Sequence, residues 1–172
     1  MKKALIALYS ILVITCAKAQ VITNYVKNPD FEKFDSCPTR IDQIKKAKYW
    51  SSIDTLESPP KGGCVPEYCN ACASLSSGVN VPYSGGFYQF ARSGNGLSMG
   101  YYFCDENPPP PAPDYTYRDY LQGRLYKVLT SGKSYCVTFY INLADRTTYA
   151  TNKMGAYLDD GSIDTVSICS KP

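Results

Sequence analysis

Cysteines are the residues in this sequence whose type and spacing could do chemistry. Cys64, Cys69 and Cys72 follow the spacing C-x4-C-x2-C, and Cys104 supplies a fourth thiol further along the chain. Four thiolates arranged in this way can hold a [2Fe–2S] cluster or a zinc ion. In an oxidising compartment the same thiols form disulfides instead. The choice between metal and disulfide chemistry therefore depends on where the protein is located.

The N-terminus predicts export from the cytoplasm. Lys2 and Lys3 precede an apolar stretch over Ala4–Cys16. Ala17 and Ala19 then place small residues at the two positions that a signal peptidase recognises before its cleavage site. We predict a signal peptide over residues 1–19, after which the protein lies in the periplasm, on the outer-membrane surface or outside the cell. The apolar stretch is too short to be a stable anchor, so we expect no membrane span after signal cleavage.

The mature chain, residues 20–172, is predicted to be a single domain with almost no net charge. The signal peptide carries three lysines and no acid, which accounts for the whole net charge of +3. A neutral domain has no broad electrostatic attraction for phosphate backbones. Nucleic acid is therefore not an expected partner.

The chain contains no histidine. Without histidine the chain cannot form Ser–His or Cys–His nucleophile pairs or nearly all types of catalytic zinc site. We therefore expect that the protein is not an enzyme. Seven of the eight cysteines remain once Cys16 is lost with the signal peptide. Export favours disulfides for them over an iron–sulfur cluster, and an odd number leaves at least one thiol without a partner in the same chain.

Short segments rich in Val, Ile, Thr, Tyr and Phe are separated by Gly, Pro, Asn and Ser, which is typical of an all-β antiparallel sandwich. The clearest strand is Ser134–Leu143, where large apolar residues alternate with smaller or more polar ones. Ile41–Lys48 is expected to form one helical turn. The other predicted strands are Val21–Val26, Tyr49–Ile53, Gly86–Ala91, Leu97–Cys104, Tyr117–Leu129, Lys153–Leu158 and Thr165–Cys169.

Two long loops interrupt these strands. Ser58–Ala73 contains three cysteines, three prolines and two glycines, so we predict an irregular segment held by disulfides. Asp105–Asp114 contains the run Pro108–Pro111, which forms stiff polyproline helix and cannot join a sheet. A spacer is the favoured interpretation of this second loop, and a docking peptide for an aromatic groove is the alternative.

The opening Asn28-Pro29-Asp30-Phe31-Glu32 resembles the first strand of galactose-binding-like jelly rolls, the fold of many carbohydrate-binding modules. Further segments of the chain, taken in their order, resemble a particular version of this domain that is found in exported Bacteroidota proteins. In those proteins it is often linked to OmpA-type or secretion-sorting domains. It spans roughly Asn24 to Leu158. The further matching segments are Ser36–Pro38, Ile44 with Ala47 and Trp50, Pro66–Tyr68, Asn70–Cys72, Tyr117–Leu121, Gly132–Tyr140, Leu143–Asp145 and Gly155–Tyr157.

The resemblance implies a jelly-roll β-sandwich that is incomplete at its C-terminus, because the closing strands of the family are not evident after Tyr157. It also implies a disulfide between Cys37 and Cys72. Cys64 and Cys69 would then close a small ring. The thiols left over, one of them unpaired, are Cys104, Cys136 and Cys169.

Glu32 is the metal candidate that the resemblance implies. Jelly rolls of this group often hold a structural calcium near the first strand through carboxylate and backbone oxygens, which are the ligands calcium prefers. The alternative is a surface or hydrogen-bonded carboxylate. We expect no other cofactor.

Tyrosines supply the candidate ligand-binding surface. Sugar rings stack their C–H faces on flat aromatic side chains, and the tyrosine hydroxyl adds a polar contact. The alternative is ordinary strand packing, since tyrosine is a favoured strand residue. The candidates, which flank the proline loop, are Tyr101, Tyr102, Tyr115, Tyr117 and Tyr120.

These features predict a non-catalytic exported binding or structural module of the cell envelope with a polysaccharide as its expected ligand. The alternative is an envelope protein-interaction or adhesion module with no glycan ligand. A hydrolase that uses two carboxylates is a third hypothesis. Asp and Glu are sparse and scattered in the chain, so the sequence singles out no such pair.

Overall fold

The computed structural model describes residues 23–53, 65–101, 119–145, 147, 150–152 and 154–163. Its strands are short and antiparallel, so the prediction of an all-β antiparallel chain is confirmed at that level. Within these ranges, two 3-10 helices cover Ile44–Lys46 and Leu75–Ser77. The strands are β1 (Trp50–Ser52), β2 (Glu67–Asn70), β3 (Tyr83–Ser84), β4 (Phe87–Tyr88), β5 (Gly96–Met99) and β6 (Leu121–Gly123).

Among the described residues, the strands form three antiparallel pairs. In the pair of β1 with β6, Trp50 lies opposite Gly123, and in the pair of β2 with β5, Glu67 lies opposite Met99. Strands β3 and β4 form a hairpin closed by Gly85 and Gly86, which have φ angles of 53° and 90°. A two-residue hairpin turn needs positive φ at its central positions, and glycine adopts it without steric cost.

The first core cluster lies around β1 and β2. Ile44, Ala47, Val65 and Tyr68 are buried, and the Trp50 ring packs against them. A Cβ atom at Gly123 would lie 2.7 Å from the Trp50 ring, so glycine is needed where β6 crosses the indole. This close approach fixes β1 against β6.

Asn28 closes the turn that leads into this cluster. Its φ of 51° is in the left-handed region, which asparagine tolerates better than most residues. Its side-chain amide donates to the carbonyls of Lys33 and Lys48 at 2.9 and 3.0 Å, and its Oδ1 accepts from the Lys33 amide at 2.8 Å. The Trp50 indole N–H donates to the Asn28 carbonyl at 2.8 Å. The opening motif therefore forms a turn that ties two other segments together.

The second core cluster contains Cys69, Ala73, Val79 and Val81, with Leu97 and Met99 packed against it. It lies on the other side of β2, because successive residues of a strand point to opposite faces. Tyr68 therefore fills the first cluster while Cys69 fills the second. All four residues of β2 are buried, so it is the most completely buried of the described strands.

Several predicted elements agree with the structure. Tyr49–Ile53 contains β1, Gly86–Ala91 contains β4, and Tyr117–Leu129 contains β6. Leu97–Cys104 overlaps β5, and Ile41–Lys48 contains the first 3-10 helix. Of the described part of the first predicted strand, residues 23–26, only Val26 forms a β-bridge, an isolated one with Leu125. The signal peptide, the proline loop Asp105–Asp114 and the predicted strand Thr165–Cys169 lie outside the described residues.

Two predictions about strands are wrong. Ser134–Leu143 forms no strand, and its residues are exposed, because an alternating pattern makes a strand only where another backbone pairs with it. The described part of Lys153–Leu158 forms no strand either. Conversely, the predicted irregular loop Ser58–Ala73 contains β2. Burial on both faces removes the alternation that would have marked this strand.

Candidate functional site

The predicted tyrosine surface is described at two of its five positions. Tyr101 follows β5 and is exposed, and Tyr120 precedes β6 and is half-buried. Backbone hydrogen bonds bring them to the same edge, because the Asp119 amide donates to the Tyr101 carbonyl at 2.7 Å. The remaining candidates, outside the described residues, are Tyr102, Tyr115 and Tyr117.

A second aromatic surface is formed by Tyr83, Tyr88 and Phe90, which we call the aromatic hairpin. The Tyr83 and Tyr88 rings meet edge to face with centroids 4.9 Å apart, and the Tyr88 and Phe90 rings do so at 5.4 Å. Their exposed fractions are 56%, 45% and 61%. Edge-to-face packing holds these rings in fixed orientations and leaves ring faces open to solvent.

The aromatic hairpin borders an open cavity of about 400 Å³. Its walls come from β3, β4, the glycine turn between them and the second 3-10 helix. Leu75, which is 73% exposed, and Ser76 are among the residues that line it. A volume of this size lies within the range of small-ligand sites.

Polar side chains connect the aromatic hairpin to the segment that follows β6. The backbone amide of Gln89 donates a hydrogen bond to the Pro82 carbonyl at 2.8 Å. The Gln89 side-chain oxygen accepts from the Asn142 amide. The Arg92 guanidinium lies 3.4 Å above the centre of the Tyr140 ring, a cation–π contact.

The sequence predicts Gly86–Ala91 as a strand but does not predict its aromatic residues as a site. A signal was present in Tyr83-Ser84-Gly85-Gly86-Phe87-Tyr88, since two glycines between aromatic residues are typical of a tight hairpin. Whether other segments cover these rings depends on residues that are distant in sequence, and a local pattern does not show it.

Glu32 holds a loop in the structure. Its Oε1 accepts hydrogen bonds from the amides of Asn95 and Gly96 at 2.6 and 2.7 Å. The carboxylate packs so closely on Gly94 that a Cβ atom there would collide with it. The hydrogen-bonded alternative therefore describes Glu32. Within the described ranges, no group of three or more His, Cys, Asp or Glu side chains is placed to hold a metal ion.

The disulfide between Cys37 and Cys72 is confirmed, with Cα atoms 5.7 Å apart. The predicted ring between Cys64 and Cys69 is not present, because Cys69 is a free thiol in the second core cluster. Burial raises the pKa of that thiol to about 11, so it stays protonated and unreactive at neutral pH. Cys136 is free and exposed. Cys64, Cys104 and Cys169 lie outside the described residues.

Two carboxyl groups are buried: that of Glu67, in β2, and that of Asp119, two residues before β6. Burial, and next the charge of Asp119, raise the pKa of Glu67 to about 8. Burial raises the pKa of Asp119 to about 6, opposed by a hydrogen bond from the Tyr101 amide to its Oδ2. The two residues are 5% and 7% exposed. Such burial favours a structural role, in which Asp119 ties the end of β5 to β6.

Comparison of the chain with known protein families, with curated proteins and with solved structures finds no match. Among the residues that the structure describes, no helix has the length and hydrophobicity needed to cross a bilayer. The aromatic hairpin and its cavity are therefore the features of the described residues that bear on function.

Proposed function

We propose that this protein is a non-catalytic binding module that is exported to the cell envelope and binds a polysaccharide through the aromatic hairpin. The observation behind this proposal is the exposure of Tyr83, Tyr88 and Phe90 in fixed orientations beside an open cavity. An exposed ring that is already immobilised loses little conformational entropy when a ligand covers it.

The chemistry of the surface suits a sugar. Pyranose rings offer C–H faces that pack on aromatic rings, while tyrosine hydroxyls and neighbouring polar groups bond to sugar hydroxyls. Ser76, Gly85 and Gly86, which carry a hydroxyl and backbone polar groups, line the same cavity. A chain of sugars can place one residue on the rings and the next in the cavity.

A galactose-binding-like jelly roll is the proposed fold. Three observations support it: the antiparallel pairing, the Asn28 turn and the disulfide that joins Cys37 to Cys72. The predicted surface at Tyr101 and Tyr120 is a further part of the proposal. A structural calcium near Glu32 also remains a proposal within this fold.

Affinity electrophoresis in gels that contain plant, algal or bacterial polysaccharides tests the function. We expect retardation of the protein in at least one gel. Tyr88→Ala should weaken that binding roughly tenfold, which corresponds to the loss of about 1.4 kcal/mol of stacking. The matched control is Tyr157→Ala, because Tyr157 is also exposed but lies outside the hairpin.

The proposal fails if no polysaccharide retards the protein with or without calcium, or if Tyr88→Ala and Tyr157→Ala weaken binding equally. The first of these results would favour the alternative, an envelope protein-interaction module with no glycan ligand. The exposed apolar residues of 134–143 are the observation that supports this alternative.

A further inference from the structure

Ser134–Leu143, which we call the apolar segment, is exposed although its sequence is that of a buried strand. It contains no charged residue. Val137, Phe139 and Ile141 are 51%, 48% and 60% exposed. Monomeric proteins rarely leave such a continuous apolar stretch open to water. The apolar segment therefore presents a surface that another chain could cover.

The backbone of the apolar segment is also open. Residues 134–144 form no helix, strand, turn or bend, and none of residues 133–145 has a positive φ. Within the described part of the chain, no backbone hydrogen bond joins 134–143 to another segment. Unpaired backbone donors and acceptors along an uncharged segment are a template for adding a strand.

Contacts with the rest of the chain involve only some side chains of the segment. Tyr140 lies under Arg92, and Asn142 donates to Gln89. Both residues have even numbers, so they share one face of an extended segment. On the opposite face Tyr135 meets the Tyr25 ring edge to face at 5.9 Å. Val137, Phe139, Ile141 and Leu143, the odd-numbered residues after it, are 48–60% exposed, and Tyr140 keeps 64% of its surface exposed as well.

We propose that the apolar segment pairs antiparallel with the same segment of a second copy of this chain, in a register centred on Phe139. In this register Phe139 lies opposite its own counterpart, and Val137 lies opposite Ile141 of the second copy. Aromatic and β-branched residues placed directly opposite each other stabilise an antiparallel pair. Each strand then supplies the backbone partners that the other lacks.

Charge favours a second copy as the occupant and selects the register. The segment is bounded by Lys133 on one side and, beyond Ala144, by Asp145 on the other. Centring on Phe139 places Lys133 of each copy opposite Asp145 of the other, so both ends gain a pair of opposite charges. A shift of two residues in either direction loses both charge pairs, because Lys133 then faces Leu143 or Thr147. The segment is thus complementary to itself in one register.

Cysteine cross-linking tests the register directly. In a Cys136→Ser background, Phe139→Cys places two thiols on the symmetry axis, about 4.5–5.5 Å apart between Cα atoms, which a disulfide can span. The matched control is Val137→Cys, whose two copies would be about 14 Å apart, since four residues separate their positions along the strand. Val137 and Phe139 are almost equally exposed, so accidental collisions affect both variants alike.

We expect mild oxidation to convert most of the Phe139→Cys protein, and little of the Val137→Cys protein, into a disulfide-linked dimer. Equal cross-linking of the two variants would overturn the proposal, because it shows collision or another register. A monomer by light scattering that cross-links at neither position would also overturn it, as would cross-linking of Phe139→Cys only to a different protein in an envelope extract.

Charge reversal provides a second, independent measurement. Lys133→Glu should weaken dimerisation roughly tenfold by placing like charges opposite each other at both ends. Adding Asp145→Lys should restore it, because the pairs are re-formed with opposite polarity. Failure of the double variant to recover, with an unchanged circular dichroism spectrum, would contradict the register. Glycan binding by the aromatic hairpin is a separate property and need not change in either variant.

Discussion

Residues 28–53 are fastened by side-chain hydrogen bonds and by the Cys37–Cys72 disulfide, whereas the apolar segment has the stronger strand pattern and lies exposed. Aromatic and β-branched residues make up six of the ten residues of the apolar segment and only eight of the twenty-six residues of 28–53. The difference is that Asn28 and Trp50 each bond to the backbone of a distant residue, which fixes where their neighbours go. Apolar alternation supplies a suitable face but does not supply the backbone that must pair with it.

Removal of the disulfide should give the largest effect in the fastened region. The cysteines are 35 residues apart, so the double variant Cys37→Ser and Cys72→Ser should lose about 3–4 kcal/mol of unfolding free energy on the chain-entropy model. Urea denaturation measures the change. Cys136→Ser is the matched control and should leave the midpoint where it was, since that thiol is free and exposed. An equal loss in the control would show that the disulfide is not what fastens the region.

Asn28→Ala should give the next largest effect, about 2–3 kcal/mol. The substitution removes three hydrogen bonds in a buried turn and places alanine at a φ of 51°. Asn24→Ala is the control, because Asn24 accepts only a local bond from the Val26 amide and is exposed. Thermal unfolding of the two variants compares them, and a loss for Asn28→Ala no greater than that for Asn24→Ala would refute the role given to this turn.

The buried acids predict that stability falls as pH rises. Glu67 has a pKa of about 8 in the folded chain against an ordinary value of 4.5, so the folded state holds the proton more tightly. The stabilisation that this difference in pKa gives the folded state is fully present below about pH 4.5 and is lost as pH rises through about 8. Asp119 acts in the same direction between its ordinary 3.8 and about 6.

We therefore expect a Tm roughly 5 °C lower at pH 8.5 than at pH 5. Glu67→Gln should remove most of this difference, because the amide stays neutral across the range. Asp30→Asn, a change at an exposed carboxyl group, is the control and should keep the wild-type pH dependence. A Tm that rises over this range would contradict the burial of Glu67.

How much could be predicted from the sequence depends on the range of the interaction. The Asn28 motif implied a fold in which Cys37 meets Cys72, and that pair is present. β1 and the turn near Ile44 were predicted because they are local. β2 was missed since Glu67 to Asn70 are buried on both faces, and burial by distant segments leaves no alternating pattern.

The candidate site was predicted less well for a related reason. The sequence predicts Glu32 as a calcium ligand, but the amides that its carboxylate binds, those of Asn95 and Gly96, are more than sixty residues away. The aromatic hairpin was predicted as a strand, and whether its rings are covered is a property of the packed chain. The pairing of Cys69 was wrong because cysteine spacing does not show which face of β2 the thiol occupies.

The same conservative substitution in both regions gives the smallest and sharpest comparison. Ile44→Val removes one methyl group from a fully buried side chain in the first core cluster and should cost about 1 kcal/mol. Ile141→Val removes the same group from a side chain that is 60% exposed and should change stability by less than about 0.5 kcal/mol at protein concentrations too low for dimers. Because the chemistry is identical, any difference reports the surroundings alone. If the cost at Ile141 equals that at Ile44 in dilute solution, another part of the same chain covers the apolar segment, and neither its exposure nor its pairing with a second copy can hold.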